Sequence, residues 1–461
     1  MRLLFREKKN HANKSVGLLL AFTIFSIIVG LLTRLFLVWK LAIWHDEIFS
    51  ILAARNTFSS IISGSVDPVH TPAYYLFLKI WLLMWDNLFW ARTSSILSFI
   101  VNIYLLYKVG KNIIDKKFAH ILVYLYVLSG YFIIFDTTVR MYSGTLTFIL
   151  LSYYFTLKVI QKPRLTQLLI LTVINAVGLY WDYSFIWYFF PLLLIFLYYF
   201  VKKSLSRRLL ISYIISVFIY LIIWVEALLK NFNLGIEGIR WMRVILKPQF
   251  FIPYFIGTHS NVIYTIVIII TLSVGLVKLI TTKDNLIRFK INLLVFPFII
   301  SFGFTYAYSL LFSPLFHVRS LQIFGLSILM LCALALYNLH LHRRKILFIF
   351  LLFMFCINFI LVIPRFLNHP ESLVIGSFPW KKVMAKIPTN NDTYILYRKY
   401  KPLPPEEWLI EGLIYTLSGK ETLASPKYLY REIQPYETIN TDKCAPIPND
   451  FVELFSCKNN Q

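Results

Sequence analysis

The chain has 461 residues, of which 58% are hydrophobic and only 15% charged, with a formal net charge of +24. Soluble globular chains carry about 25% charged residues, so this composition excludes an ordinary soluble enzyme and indicates a polytopic membrane protein. The basic excess does not indicate a nucleic-acid partner, because Lys and Arg fall in short clusters between apolar runs.

The first apolar run, Val16 to Trp39, is broken by a single charge, Arg34, and is long enough to cross a bilayer as a helix. It is too long for a cleaved signal peptide, and no small-residue cleavage site follows it. Run length predicts about eleven spanning helices, at roughly 16–38, 92–110, 118–136, 141–160, 166–181, 184–201, 208–229, 261–280, 291–312, 319–339 and 346–363. The split points within 118–160 and 166–201 are set by polar residues: Asp136 with Arg140, and Trp181-Asp182-Tyr183-Ser184.

Charge then sorts the loops. One alternate set holds clusters such as Lys108, Lys111, Lys116 and Lys117, or Lys202, Lys203, Arg207 and Arg208. The opposite set is poorer in Lys and Arg and holds most of the acidic residues before the tail. The positive-inside rule places residues 1–15 in the cytoplasm, and an odd number of spans places the tail outside. The expected organisation is a transmembrane domain over 16–363, with a first outer loop over 39–91, and a small extracytoplasmic domain over 364–461.

Within the first outer loop, Ile48, Ile51, Leu52, Phe58 and Ile62 recur at near-helical spacing, which predicts an amphipathic surface helix. Thr71-Pro72 is a helix start. The run Tyr74 to Trp85 is too short to span and reads as an interfacial helix ended by Asp86-Asn87. Trp81, Trp85 and Trp90 suit that depth. A further outer loop, Lys230 to Ser260, mixes basic and aromatic residues. The tail suggests a helix near Trp380 to Lys386 and a strand at Thr393 to Tyr400. Four cysteines do not make a disulfide scaffold. Cys332 and Cys356 lie in apolar runs and read as packing residues. Cys444 and Cys457 lie in the polar tail and could pair there, an open alternative.

Sorted by side, the polar residues gather at the outer face: His45, Asp46, Glu47, Asp67 and His70 from the first loop; Asp136, Arg140 and Tyr142; Asp182 and Tyr183; and His317 with Arg319 before the tenth helix. Carboxylates are costly near hydrocarbon, so two adjacent ones at the boundary call for a reason. A carboxylate can serve as general base to a hydroxyl, and arginines can hold a phosphate and stabilise charge on a leaving group. Each piece has a plainer reading. Asp46-Glu47 is more often a solvated cap, Arg140 a snorkelling arginine, His70 a surface residue and Asp182 a helix cap. The combination is more specific than any member.

At these residues the chain resembles the C-type-fold glycosyltransferases that use lipid-linked sugars, nearest to the branch of protein O-mannosyltransferases and lipid A aminoarabinose transferases. WHDEIFSILAA, Trp44 to Ala54, looks like the family's Asp-Glu motif in a long first outer loop. DPVHTPAYYLFLKIW, Asp67 to Trp81, resembles Asp-x-His-Pro-Pro-Leu-Tyr-Tyr, with one residue added before His70 and Thr71 in place of a proline. TTVRMY, Thr137 to Tyr142, resembles Gln-Glu-Ala-Arg-Met-Tyr, with Thr138 where the glutamate is usual. YWDYSFIW carries Asp182 where histidine is common, and SPLFHVRSLQIF carries Arg319 of a late Pro-Arg-Tyr-Leu segment.

The resemblance implies an all-α bundle and inverting transfer from a polyprenyl-phosphate sugar, a hexose or pentose, to a lipid, glycan or protein hydroxyl on the extracytoplasmic side. Asp46 is then the base, with Glu47 orienting the acceptor or a neighbouring basic residue. Asp67 and His70 shape the sugar site, Tyr142 and Asp182 are further substrate-binding residues, and Arg140 with Arg319 hold the phosphate. No cofactor is required. A divalent ion shared by Asp46, Glu47, Asp67 and His70 is a second reading. A transporter or flippase of lipid-linked sugars, or a non-catalytic scaffold, are the alternatives from other classes.

Overall fold

The computed structural model describes residues 2–41, 45–67, 70–202, 207–239, 262–312, 322–341 and 344–368, and four strands within 393–458. The expected helix at 380–386, most of the loop 230–260, and Arg319 lie outside the described residues. The bundle opens with α1 (Arg2–Lys40), whose apolar part is Leu19–Lys40. The connection that follows carries three short helices: α2 (His45–Arg55), α3 (Phe58–Ile62) and α4 (Ala73–Leu82). Then come α5 (Leu88–Ile113), α6 (Lys116–Val127), α7 (Gly130–Phe135), α8 (Tyr142–Gln161), α9 (Leu165–Trp181), a 3-10 turn at Tyr183–Phe185, α10 (Ile186–Val201) and α11 (Arg207–Ile239). The remaining helices are α12 (Val262–Thr281), α13 (Asn285–Leu311), α14 (Gln322–Leu341) and α15 (Lys345–Asn368).

Among the described residues, nine helices are long and apolar enough to cross a membrane. They correspond to nine of the eleven expected spans. The other two expected spans are helical but formed by shorter helices than those nine, and for the second of them burial explains the break. The helix expected at 166–181 is α9, of 17 residues. The span expected at 118–136 is divided into α6 and α7 at Leu128-Ser129. Every residue from 118 to 146 is buried. A segment enclosed by protein need not keep unbroken helical geometry, because neighbouring groups replace the missing backbone bonds.

The same enclosure explains Arg34. It is fully buried in α1, and its Nε donates to Asp136 Oδ2 at 3.0 Å while Nη2 lies 2.9 Å from the same oxygen. Its Nη1 donates to the carbonyls of Gly30 and Val127 at 3.2 and 3.0 Å. The guanidinium also lies 3.9 Å above the Phe99 ring, a favourable seat for a cation. Asp136, also fully buried, accepts further bonds from Ser143 Oγ at 2.7 Å and Tyr126 OH at 3.2 Å. Two charges at this depth persist only because they are paired and most of their other polar atoms are bonded. Gly30 permits the approach: a Cβ there would lie 2.3 Å from Val127 Cγ1.

The short helices after α1 are stapled to the bundle. Thr57 caps α3, accepting from Ser60 N at 3.2 Å, and Asn87 caps α5, accepting from Trp90 N at 2.7 Å, the usual work of such side chains. Arg55 of α2 grips Asp86, with Nε to Oδ2 at 3.0 Å and Nη2 to Oδ1 at 2.8 Å. Trp81 and Trp90 stack with centroids 4.9 Å apart and planes 6° from parallel. Each indole N–H donates to the other residue's carbonyl, at 2.9 and 2.8 Å. Beyond this staple Ile80, Leu83, Met84 and Trp85 are exposed, as expected of an interfacial helix end. The tail forms a four-stranded sheet in the order β2 (Tyr430–Glu432), β1 (Thr393–Arg398), β4 (Glu453–Lys458), β3 (Cys444–Ile447), with β1 where the strand is expected.

Replacing Arg34 by Leu leaves the Asp136 carboxylate buried and unpaired. That change should lower stability by about 3–5 kcal/mol, the usual cost of breaking a buried pair. Removing both charges in R34L/D136L should recover part of the loss. Thermal melting of the detergent-purified proteins measures both. A double variant no more stable than R34L would show that the pairing is not what the site requires.

Candidate active site

The site lies where the C-terminal end of α1, helices α2 and α4, the start of α5 and the α7–α8 turn meet. Asp46 and Glu47 occupy the first turn of α2, where the helix N-terminus favours negative charge. Successive helical residues point about 100° apart, and the two carboxylates accordingly have different surroundings. Glu47 is fully buried. Its Oε1 accepts from Arg92 Nε at 2.8 Å and from the Val139 backbone N–H at 2.9 Å, and its Oε2 accepts from Arg92 Nη2 at 2.6 Å. Arg92 Nη1 donates to the Val38 and Leu41 carbonyls, both at 2.9 Å. This planar two-pronged contact joins α1, α2, α5 and the α7–α8 turn at one point.

Asp46, by contrast, keeps 28% of its side chain exposed, and its Oδ2 lies 3.9 Å from Arg140 Nε. Arg140 is buried. Its Nη1 donates to Ser50 Oγ at 3.1 Å and to the Asp46 carbonyl at 3.4 Å, and its Nη2 faces His70 Nε2 at 3.3 Å. The Tyr142 ring lies 5.7 Å from the guanidinium carbon. Arg140 Nε, although buried, has no hydrogen-bond partner.

Asp67 organises the neighbouring loop. It accepts from the His70 backbone N–H at 3.2 Å, faces His70 Nδ1 at 2.8 Å and accepts from Tyr75 OH at 2.5 Å. An arginine can only donate, so His70 Nε2 accepts from Arg140, and the imidazole proton sits on Nδ1 and is given to Asp67. Asp67 thus fixes the tautomer that supports Arg140. Burial, reinforced by the Asp67 charge, pushes the Tyr75 phenol well above its usual range, so it stays a donor.

The turn that carries Arg140 is held along its length. Asp136 is gripped by Arg34, the Thr138 carbonyl accepts from Ser95 Oγ at 2.5 Å, the Val139 N–H is taken by Glu47, and Arg140 N donates back to the Thr138 carbonyl at 2.9 Å. Beside it, Tyr74 OH and Thr71 Oγ1 are buried without hydrogen-bond partners. Burial raises the Tyr74 phenol above its usual range, with Arg140 pulling it down and Glu47 pushing it up. Each unpaired buried hydroxyl costs about 1–3 kcal/mol; the same lack of a partner is found away from this site, at Tyr188 OH and His120 Nδ1 among others.

Of the residues singled out from sequence, the structure brings Asp46, Glu47, Asp67, His70, Arg140 and Tyr142 together. Asp182 is also buried, but it caps the 3-10 turn, accepting from Ser184 N at 3.1 Å, from the Ser184 hydroxyl, and from Thr145 Oγ1 at 2.9 Å. Arg319 and His317 lie outside the described residues. Sequence reasoning missed Arg92, Ser50 and Tyr74. Arg92 stands at the head of an apolar run, where a charge reads as flanking, whereas Arg34 stood out as the single charge within one. Among the described residues no group of three or more His, Cys, Asp or Glu side chains is arranged to hold a metal ion.

Residues 69–228 match the family model described as dolichyl-phosphate-mannose-protein mannosyltransferase. No curated protein sequence matches the chain. Among solved structures it is similar to ArnT from Cupriavidus metallidurans bound to undecaprenyl phosphate, at 10% identity over 95% of this chain and 98% of that one, with a TM-score of 0.57. The apo state of the same protein gives 11% identity, 96% and 98% coverage and a TM-score of 0.58. The oligosaccharyltransferase of Archaeoglobus fulgidus in complex with Zn and sulfate gives 10% identity and a TM-score of 0.50, over 90% of this chain and 59% of that one. At these identities the likeness is one of fold.

The two adjacent carboxylates should respond differently to substitution. Glu47→Ala leaves Arg92 buried and uncompensated and should cost about 3–5 kcal/mol, read as lost membrane yield and a lower melting temperature. Asp46→Asn, at a half-exposed position, should melt close to the parent. Equal stabilities of the two variants would contradict the division of roles between them.

Proposed function

We infer that this chain, a multi-pass membrane protein with the C-type glycosyltransferase fold, moves a sugar from a polyprenyl-phosphate donor to an acceptor hydroxyl by a single inverting displacement. The observation that carries this reading is the pairing of a half-exposed Asp46 with a buried Arg140 whose Nε has no hydrogen-bond partner, at one end of an apolar bundle. Asp46 and Arg140 neutralise one another while the site is free. An arriving phosphate takes the guanidinium, and Asp46 is released to accept a proton. The acceptor oxygen then attacks the anomeric carbon, the bond from that carbon to the phosphate oxygen breaks, and the proton goes to Asp46. Negative charge developing on the leaving phosphate is met by Arg140, with Tyr74 and Thr71 as hydroxyl donors. Arg140 supplies the positive charge in this scheme, and no cofactor is invoked.

Glu47 and Asp67 act behind these groups. Glu47 fixes Arg92 and the turn, and Asp67 holds His70 as an acceptor for Arg140. Tyr142 flanks the guanidinium. We assign Asp182 to the wall of the sugar pocket and Arg319 to the phosphate. The transferred group is a hexose or pentose, and the acceptor a lipid, glycan or protein. That ArnT was solved with undecaprenyl phosphate bound supports a lipid monophosphate as leaving group. Alternation of basic loops supports a cytoplasmic N-terminus, with the site and residues 364–461 on the opposite side. Buried charges locked into pairs, as in Arg34–Asp136 and Arg92–Glu47, speak against a transport pathway through the bundle.

Asp46→Asn should cut turnover at saturating donor by roughly a hundredfold or more while leaving donor affinity near that of the parent. Arg140→Lys keeps the charge, loses the planar fork, and should weaken donor binding about tenfold. Transfer assays with radiolabelled polyprenyl-phosphate sugars, paired with donor-binding measurements, separate the two effects. Near-parental turnover by properly inserted D46N would remove Asp46 as the base. Orientation is tested by impermeant thiol labelling of S59C and N285C in a C444S/C457S background: S59C should react in intact cells and N285C only after permeabilisation.

A further inference from the structure

In the tail sheet, β3 runs antiparallel to β4 with Cys444 opposite Cys457 and Pro446 opposite Phe455. Among the described residues β3 is an edge strand, with β4 as its one neighbour in the sheet. Directly opposed residues in an antiparallel pair alternate between hydrogen-bonded sites, with Cα atoms about 5.5 Å apart, and non-hydrogen-bonded sites, about 4.5 Å apart. Pro446 has no N–H to give, so its position fits a non-hydrogen-bonded site of the β3–β4 ladder. Cys444 is two residues away and shares that phase. The register therefore sets Cys444 and Cys457 at a non-hydrogen-bonded site on the same face, at the closer of the two spacings. That spacing falls within the Cα separation of about 4.4–6.8 Å that a disulfide spans.

We propose that Cys444 and Cys457 form a disulfide that closes the β3–β4 hairpin. The proposal rests on our placement of the tail on the extracytoplasmic side, where disulfides persist. The oxidant is the disulfide of a thiol–disulfide oxidoreductase. One cysteine thiolate attacks it, forming a mixed disulfide and releasing one oxidant thiolate. The second cysteine thiolate then attacks the sulfur of the first and expels the other. Two electrons pass to the oxidant, which leaves as a dithiol with the two protons. Cys332 and Cys356, in α14 and α15, stay as free thiols. The bond joins the edge strand to the inner strand of the sheet, so the edge cannot peel away.

Trypsin cuts after Lys443 and Lys458 and nowhere between, so both cysteines fall in one peptide, Cys444–Lys458. The full-length protein is trapped with N-ethylmaleimide in intact cells and on denaturation, then digested without reduction. The expected peptide is unlabelled and lighter by two hydrogens than its reduced form. The same peptide carrying two maleimides from an oxidising compartment overturns the pairing. The compartment is read separately from C444S, whose remaining Cys457 is offered an impermeant maleimide. Labelling in intact cells together with a doubly labelled wild-type peptide rejects the disulfide and keeps the orientation. Labelling only after permeabilisation rejects the orientation, and the pairing with it. As a compartment-free check, purified reduced protein is incubated with oxidised glutathione: the same two-hydrogen loss supports the register, and glutathione adducts on separate cysteines contradict it.

Discussion

A carboxylate with no access to solvent governs the architecture of the site. Glu47 is held by both prongs of Arg92 and by the Val139 N–H, while Arg92 reaches two carbonyls at the end of α1. Desolvating these charges is tolerable only because each has a full set of partners in low-dielectric surroundings. The geometry of the network then passes to everything around it. It sets where α2 begins, and so where Asp46 faces. It also fixes the turn from which Arg140 projects. A second buried pair, Arg34–Asp136, grips the other end of that turn. The site is therefore rigid where the guanidinium is mounted and more open where Asp46 meets solvent, a partition that suits the roles proposed for the two groups.

The large features were legible in the sequence because they depend on one-dimensional quantities. Run length marks a helix long and apolar enough to cross a bilayer, and among the described residues nine such helices follow it. Where a segment is enclosed by protein the rule loses its basis, and run length therefore gave no sign that 118–136 would break at Leu128-Ser129. Arg34 was visible as the single charge in the first span, but its partner lies 102 positions away, and no spacing rule connects them. The motifs around Asp46, His70 and Arg140 pointed to the candidate site, whereas the division between Glu47 and Asp46 depends on long-range packing against Arg92 and Arg140. Arg92 went unremarked for a simpler reason: at the head of an apolar run it reads as a flanking charge, and only the depth of Glu47 shows otherwise.

Departures from the motif pattern that the chain resembles acquire physical meaning in the same way. Thr138 stands where a glutamate is usual. Its hydroxyl bonds back to the Ile134 carbonyl at 3.2 Å, and its own carbonyl accepts from Ser95. The acid in this turn is Asp136, two residues earlier, and it is committed to Arg34. Asp182, where histidine is common, ties the 3-10 turn to α8 through Thr145. The extra residue between Asp67 and His70 is accommodated by a local loop in which Asp67 bonds both the backbone and the ring of His70.

The complete enclosure of α6 and α7 bears on how the chain is made. Their buried walls come from helices at both ends of the sequence. α1 and α5 are synthesised before them, but α14 arrives only from residue 322 onward. A Cβ on Gly325 of that helix would come within 2.6 Å of Tyr131 and 2.8 Å of Phe132, so α14 seats directly on α7. Throughout synthesis of the intervening helices, the broken backbone at Leu128-Ser129 and the polar residues beside it wait without that wall. The segment with the least tolerance for lipid is thus among the last to be sealed, and the insertion machinery or the nascent bundle must shelter it until α14 is delivered.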